Sequence, residues 1–192
     1  QPMASWVARA AQALRPARTV AVVGFQANLV KAALSGMCDA FAVQTEQRGT
    51  GHAVIQAAAA LRGAQGPLLI VNGDPPNLTP ATLRALVALH RRSKAALALV
   101  TTDVAEPAGY GRIVRDPNGR VARIVEHKDA TAAERKIREI NCGIYCADTS
   151  ALLASLKKVR PDNAQGEYYL TDAVHALIAK GGNVVALKHA EP

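Results

Sequence analysis

Residues 44–53 read Gln44-Thr-Glu-Gln-Arg-Gly-Thr-Gly-His-Ala53, and residues 68–74 read Leu68-Leu-Ile-Val-Asn-Gly-Asp74. The apolar run 68–71 predicts a buried parallel strand, because strands covered on both faces are almost continuously hydrophobic. Its Gly-Asp ending puts the carboxylate of Asp74 at the carboxyl edge of a sheet, where open α/β folds bind ligands. The first segment lies on a turn between a strand pattern and a helix pattern. Together they predict an α/β fold with a ligand site at one sheet edge.

The rest of the chain alternates between helical and strand patterns, which is typical of a mainly parallel sheet with helices on its faces. We therefore predict a doubly wound, Rossmann-like fold. One change of spacing interrupts the alternation, because Arg112–Arg115 and Val121–Val125 flank the turn Asp116-Pro-Asn-Gly119. This pattern predicts an antiparallel hairpin insertion.

Three helix predictions can be checked in detail. Thr79 and Pro80 supply a cap and a first helical residue for a helix that runs to about Arg92. The charged segment 132–138 also predicts a helix. The third helix is predicted near the start of the chain, where an apolar stripe has helical spacing, and we expect Trp6 of that stripe to pack in the core.

Length and composition fit one domain over residues 1–192, because 49% hydrophobic residues can bury one sizeable core. The formal net charge of +8 is spread along the chain, so it suits acidic small substrates as well as polyanions. Aromatic residues make up only 4% of the chain and do not interleave with basic residues. Since base-stacking platforms need such interleaving, we expect no nucleic-acid partner.

The cysteines are Cys38, Cys142 and Cys146, an odd number without metal-ligand spacing. This favours free thiols in a reducing compartment. No apolar stretch approaches the roughly 20 residues needed to span a bilayer, and the start of the sequence has no signal-peptide pattern. We therefore expect a cytoplasmic location and no membrane partner.

The turn Gly49-Thr50-Gly51 follows Gln44, whose side-chain amide offers both a donor and an acceptor. Glycine lets exposed backbone approach a flat ring closely, and a helix that begins near Thr50 adds free N–H donors. This combination suits the edge of a pyrimidine base. For the tripeptide alone, an ordinary turn with a helix cap is the commoner explanation. We predict that His52 packs or caps and does not catalyse.

Asp74 offers a hard oxygen ligand for the Mg²⁺ of a nucleotide, although carboxylates also often cap the turn after a strand. The glycines of Gly109-Tyr-Gly-Arg-Ile113 place backbone N–H groups beside the hairpin, where they can meet sugar hydroxyls. Glu126 and Asn141 lie at or within neighbouring strands and suit the same role. An ordinary surface charge would explain Glu126 as well as sugar binding does, and a turn-forming asparagine would explain Asn141 as well.

The segment Asn163-Ala-Gln-Gly-Glu-Tyr-Tyr-Leu-Thr-Asp172 collects polar groups and two tyrosines before a helix. Tyr169 and Thr171 could close over a sugar, because an aromatic ring offers an apolar face and a hydroxyl group. The alternative is a plain loop in which Thr171 caps the helix.

Five motifs follow one another between residues 47 and 172. They are Gln47-Arg-Gly-Thr-Gly-His-Ala53, Gly109-Tyr-Gly-Arg-Ile113, Ile124-Val-Glu-His-Lys-Asp-Ala130, Glu139-Ile-Asn-Cys-Gly143 and residues 163–172. In this order they resemble the uridyltransferase domain of the bacterial bifunctional N-acetylglucosamine-1-phosphate uridyltransferase and glucosamine-1-phosphate acetyltransferase family. The resemblance implies that UTP and N-acetylglucosamine 1-phosphate give UDP-N-acetylglucosamine and pyrophosphate, on the way to peptidoglycan of the cell wall.

The resemblance also implies the role of each binding residue. Uracil would be held by Gln44, Gly49 and Thr50. Mg²⁺ and the nucleotide would be held by the catalytic Asp74, with Asn72 and Gly73 beside it. The N-acetylglucosamine part would be held by Gly111, Glu126 and Asn141, with Tyr169 and Thr171 further out.

Several features depart from the family. Its members begin with a strand and a Gly-rich loop that grip the triphosphate, and they continue into a left-handed β-helix that acetylates and forms a homotrimer. From the sequence we expect a partial domain that lacks the first strand and the Gly-rich loop and is inactive or nearly so by itself. Asn72 stands where tyrosine is usual, Pro75 where valine is frequent and Cys142 where threonine is frequent, which bears on the fit of the sugar pocket.

Two other functions stay open. One is a glucose-1-phosphate thymidylyl- or uridylyltransferase with the same fold and metal, which an assay with a different sugar phosphate would separate. The other is a non-catalytic sugar-nucleotide binding module. An upstream sequence encoding a Gly-rich loop followed by lysine would exclude that second alternative.

Overall fold

The computed structural model describes residues 2–75 and 77–189. The α-helices of this part are α1 (Met3–Gln12), α2 (Ala27–Ala33), α3 (Thr50–Ala57), α4 (Pro80–Arg92), α5 (Thr149–Leu156) and α6 (Leu170–Ala179), with a 3₁₀ helix at Glu134–Lys136. The strands are β1 (Val20–Val23), β2 (Ala40–Val43), β3 (Pro67–Val71), β4 (Leu97–Asp103), β5 (Arg112–Arg115), β6 (Val121–Val125), β7 (Glu139–Asp148) and β8 (Val184–His189). None of these helices is long and apolar enough to cross a membrane.

The described strands form two sheets. β1 and β2 pair in parallel, and a larger sheet has the order β6-β5-β7-β4-β8, with β3 also paired to β7. β3, β4 and β5 each pair antiparallel with β7, so they share one direction, and β8 joins them by parallel pairing with β4. Most strands of the larger sheet therefore run the same way. The predicted α/β class with a mainly parallel sheet is confirmed.

The central strand β4 shows why helices cover both faces of the larger sheet. Side chains alternate along a strand, so Leu97 and Leu99 face one side while Ala98 and Val100 face the other. The first pair packs with residues of α3, α5 and α6, and the second pair packs with residues of α1 and α4. All four side chains are buried. Each face of β4 thus supports its own apolar layer, as a doubly wound fold requires.

β3 differs from its prediction as a buried parallel strand. Its described partner, β7, runs antiparallel to it, and the residues of β3 after Pro67 are only half-buried. β1 and β3 both line a cleft of about 1230 Å³, together with aliphatic residues of α1 and α4. Gln44, Asn72 and Gly73 line the same cleft, so it reaches the sheet edge that carries the predicted site.

The predictions for α4 and for the hairpin are confirmed. Thr79 Oγ1 accepts the N–H of Thr82 at 3.2 Å, and Pro80 is the first residue of α4. β5 and β6 form the antiparallel hairpin, and β5 joins the sheet where Arg112 pairs with Ile140 of β7.

Two local predictions are wrong. Segment 132–138 contains only the short 3₁₀ helix, because the backbone is already extended at Ile137 and β7 begins at Glu139. The Glu134 carboxylate caps the start of this turn by accepting the N–H and hydroxyl of Thr131 at 2.8 and 2.7 Å. Trp6 is 63% exposed, although its neighbour Val7 is buried. Successive helical residues point about 100° apart, so Trp6 lies beyond the edge of the buried stripe of α1.

Candidate functional site

The turn between β2 and α3 holds Gln44 against the start of the helix. Gly49 has a φ of +97°, a conformation that favours glycine, and α3 begins at the next residue, Thr50. Gln44 Nε2 donates to the carbonyl oxygen of Gly49 at 3.1 Å and lies 3.1 Å from His52 Nδ1. The side-chain amide of Gln44, which the sequence predicts to recognise a base, is therefore held in place through its nitrogen atom.

Residues 167–171 pack onto this turn. The N–H of Gly51 donates to the carbonyl oxygen of Tyr168 at 2.7 Å, and the N–H of Leu170 donates to Thr50 Oγ1 at 3.1 Å. Thr50, which the family resemblance assigns to uracil, thus ties α3 to the start of α6 through its hydroxyl. Residues 167–171, which we call the connecting segment, form one wall of the base side.

A second group of predicted residues lies at the hairpin end of the sheet. Thr171 Oγ1 donates to Glu126 Oε1 at 2.9 Å, and the N–H of Asn141 donates to the carbonyl oxygen of Gly111 at 2.9 Å. A Cβ placed on Gly111 would lie 3.4 Å from Glu126 Oε2 and 3.7 Å from Asn141 Cβ. Gly111, Glu126, Asn141 and Thr171 therefore form one contiguous group, which we call the sugar-side group.

Glu126 has an unusual electrostatic environment for a carboxyl group. Burial raises its pKa above the ordinary value, the hydrogen bond from Thr171 acts in the opposite direction, and Asp172 and Asp129 raise the pKa further. A carboxyl group can accept a hydrogen bond when ionised and donate one when protonated. This versatility suits recognition of a hydroxyl group.

Asn72 lies against the sugar-side group through Gly143. Gly143 has a φ of +69°, and any Cβ there would collide with the Asn72 amide. The N–H of Gly143 donates to Asn141 Oδ1 at 3.1 Å, which orients the Asn141 amide. Gly73 and Asp74 continue from Asn72 and are exposed.

Tyr169 is a buried residue of the connecting segment. It is only 5% exposed, and its hydroxyl accepts Gln165 Nε2 at 2.8 Å. Burial raises the pKa of Tyr169 to about 12. Because the side chain is buried within the connecting segment, its assignment to the sugar stays a prediction.

The nucleotidyl transferase family model matches residues 23–191 of the sequence. The chain belongs to this family. It is 50% identical over 186 residues to "Bifunctional protein GlmU" of Anaeromyxobacter sp. (strain K), an alignment that covers 95% of this chain and 38% of that protein. It is 48% identical over 192 residues to the protein of the same name from Geobacter metallireducens, covering 100% of this chain and 40% of the relative. The resemblance found in the sequence is confirmed.

The chain spans about two fifths of the length of these relatives. Among solved structures, apo UDP-glucose pyrophosphorylase aligns with a TM-score of 0.75 at 17% identity, covering 99% of this chain and 80% of that one. The same kind of enzyme complexed with UDP-glucose aligns with a TM-score of 0.72 at 17% identity, covering 99% and 79%. These structures show the fold of this nucleotidyl transferase family member.

Asp74 is the residue that could hold a metal ion in this family member. Within residues 2–75 and 77–189, no group of three or more His, Cys, Asp or Glu residues is arranged around a common metal position. An exposed carboxylate at the end of β3 nevertheless suits Mg²⁺, because protein sites often supply one or two carboxylates while substrate phosphates and water complete the shell. The donor therefore fits a metal ion that arrives with a nucleotide.

Sequence reasoning missed Arg112, which follows Gly111 and is only 1% exposed. Its guanidinium donates to the carbonyl oxygen of Tyr110 and to His127 Nδ1, the latter at 3.2 Å. These bonds hold the Gly-Tyr-Gly turn beside the sugar-side group. The next residue, Ile113, is buried as well, so alternation along the strand carried no signal that Arg112 points inward.

Proposed function

We propose that this chain forms the uridylyl-transfer site for UTP and N-acetylglucosamine 1-phosphate, with UDP-N-acetylglucosamine and pyrophosphate as products. One observation carries the proposal. The connecting segment contacts the base-side turn through Tyr168 and Leu170 and the sugar-side group through Thr171. A nucleotide sugar bound along this segment would have its base at one end and its sugar at the other. The high identity to the bifunctional relatives supports the same reaction.

On the base side, Gln44, Gly49 and Thr50 would hold uracil at the start of α3. On the sugar side, Gly111, Glu126 and Asn141 would hold N-acetylglucosamine, with Thr171 and Tyr169 behind them. Asn72 and Gly73 would border the phosphates beside Asp74. The sugar phosphate has a second pKa of about 6 and is mostly ionised at neutral pH, so no side chain needs to deprotonate it. The residues would therefore act by positioning the phosphate for in-line attack.

Asp74 would hold Mg²⁺ together with the phosphates of UTP. When bound, the ion cancels negative charge at the α-phosphate and on the leaving pyrophosphate. The proposal further places residues 1–192 in one nucleotidyltransferase domain and the activity in the cytoplasm, where UTP is made available to such enzymes.

The experiment measures Mg²⁺-dependent release of pyrophosphate from UTP and N-acetylglucosamine 1-phosphate, after circular dichroism shows that the chain is folded. Isothermal titration with UDP-N-acetylglucosamine, with and without Mg²⁺, measures binding independently of turnover. We expect Asp74→Asn to abolish the effect of Mg²⁺ on binding. Asp103→Asn is the matched control, since Asp103 is an exposed aspartate paired with Lys188 at 2.8 Å.

Each outcome separates the candidate functions. Tighter binding or faster turnover with glucose 1-phosphate derivatives would replace the proposed substrate by the glucose series. Binding without turnover, found also for a chain extended upstream with a Gly-rich loop of the family, would favour a binding module. A folded chain that binds neither UTP nor UDP-N-acetylglucosamine would refute the proposal.

A further inference from the structure

His52 contacts two side-chain amides at once. It is the third residue of α3, with Gln44 Nε2 3.1 Å from its Nδ1 and Gln56 Nε2 2.8 Å from its Nε2. A neutral imidazole has one N–H and one lone pair, so it can accept a hydrogen bond from only one of these amides. The other amide must present its oxygen to the ring.

The hydrogen bond between Gln44 and Gly49 shows which of the two amides presents its oxygen to His52. Gln44 Nε2 also lies 3.1 Å from the carbonyl oxygen of Gly49, and a carbonyl oxygen can only accept. The two N–H groups of Gln44 therefore point to Gly49 and to His52 Nδ1. His52 must therefore carry its proton on Nε2 and donate it to the side-chain oxygen of Gln56. A half-turn of the Gln56 amide brings that oxygen to the ring, because the oxygen and the nitrogen of an amide have nearly the same shape.

The orientation of Gln44 has a chemical consequence for the base. With both N–H groups engaged, the Oε1 atom is the part of the amide left to meet a ligand. A carbonyl oxygen accepts from the N3–H of uracil or thymine, whereas the N3 of cytosine carries a lone pair and repels it. The ring of His52 is itself held by Tyr168, whose ring centroid lies 6.2 Å away at a tilt of 36°.

We propose that His52 is a positioning residue that fixes the amide of Gln44 and thereby selects nucleotides with an N3–H group over cytidine nucleotides. This inference rests on the proposed function, because it assigns the base to Gln44. It adds that His52 supplies the second acceptor for the Gln44 amide nitrogen, beside the carbonyl oxygen of Gly49, so that the amide loses one of its two restraints when His52 is replaced. Sites built around one hydrogen-bonding pattern can discriminate strongly against a ligand that leaves their polar groups unpaired.

The test compares dissociation constants of UTP and CTP in the presence of Mg²⁺ for the wild type and three variants. His52→Phe keeps a ring beside Tyr168 but removes the acceptor, so the preference for UTP should fall by at least about tenfold. His52→Asn places Oδ1 near the position of Nδ1 and should restore the preference. His52→Gln carries its amide one bond further out and should not restore it.

A second measurement does not depend on ligand binding or on any variant. Two-bond ¹H–¹⁵N correlations of the wild-type chain report which ring nitrogen of His52 is protonated, and we expect Nε2. Protonation on Nδ1, or an unchanged UTP preference in folded His52→Phe, would overturn the inference. A wild type that binds neither nucleotide overturns the proposed function and this inference with it, whereas UTP binding without selectivity overturns this inference alone.

Discussion

Gly51 donates its backbone N–H to the carbonyl oxygen of Tyr168 at 2.7 Å, and a Cβ at Gly51 would lie only 2.8 Å from that same oxygen. α3 and the connecting segment are therefore so close that no side chain fits between them. The glycine is needed for this backbone contact, which joins the base side to the sugar side.

We expect Gly51→Ala to destabilise the chain by about 1–3 kcal/mol, the usual range for overpacking. Alanine would otherwise stabilise a helix relative to glycine, so a net loss would report the collision with Tyr168. Urea unfolding followed by circular dichroism measures the change. Gly73→Ala is the control, because no described atom lies within 4 Å of a Cβ at Gly73. Equal stability of the two variants would contradict the prediction.

An ion pair between the buried Glu139 and the exposed Arg115 ties the hairpin to β7. Glu139 is 8% exposed and accepts Arg115 Nε at 2.8 Å, Arg115 Nη2 at 2.6 Å and Thr101 Oγ1 at 2.8 Å. We expect Arg115→Met to cost about 1–2 kcal/mol at pH 7, because it removes the cation from the buried Glu139 carboxylate while solvent at the exposed Arg115 screens part of the interaction. Arg48→Met, which removes an exposed pair with Glu46, should cost less than about 1 kcal/mol.

The cost of Arg115→Met should depend on pH. Burial alone would raise the pKa of Glu139, but hydrogen bonds from Arg115 and Thr101 hold it below the ordinary value. A lowered folded-state pKa contributes stability above the ordinary carboxyl pKa and loses it as the pH falls through the lowered value. The difference between wild type and Arg115→Met should therefore shrink in acid. A constant difference between pH 7 and pH 3 in urea titrations would count against the ion pair.

Glu126 should have the opposite pH dependence. Its pKa is raised by burial, so the folded chain keeps this proton at pH values where the unfolded chain has lost it. Stability from this group therefore falls as the pH rises from the ordinary carboxyl pKa through the raised value. Glu126→Gln should flatten that part of the stability curve, while Glu126 Oε1 is replaced by an oxygen that still accepts from Thr171. Glu106→Gln, at an exposed carboxylate, should keep the wild-type slope.

The N-terminus of α4 offers a simple test of local structure. Thr79 Oγ1 accepts the N–H of Thr82 at 3.2 Å, and Thr79 is exposed. Thr79→Ala should lower the free energy of unfolding by about 1 kcal/mol, the typical contribution of a helix cap. Thr79→Ser keeps the oxygen and should stay within a few tenths of the wild type. A loss in Thr79→Ser as large as in Thr79→Ala would show that the methyl group matters more than the cap.

Prediction from the sequence succeeded where neighbouring residues alone decide the structure. The cap at Thr79, the proline that follows it and the turn Asp116-Pro-Asn-Gly119 specify their own backbone angles, and the structure has a helix and a hairpin at those places. It failed for Trp6 and for segment 132–138. There the outcome depends on which helix face finds a partner and on how soon the chain extends into β7.

For the candidate site, the sequence singled out residues but could not say what they contact. Gly111, Glu126, Asn141 and Thr171 are far apart in the chain and meet only because β5, β6, β7 and α6 converge. The sequence did not indicate that Arg112 is buried, since burial of a charged side chain depends on partners that come from other segments.

The sequence by itself determined the α/β class, the order of helices and strands and the family, because hydrophobic periodicity, caps and turns are local properties. Only the tertiary structure decided that β7 runs antiparallel between β3 and β4, since strand direction depends on pairing between residues far apart in sequence. It also decided that the amide nitrogen of Gln44 is coupled to both the carbonyl oxygen of Gly49 and the ring of His52. Hydrogen bonds have short reach and strict direction, so that coupling exists only once the turn is folded.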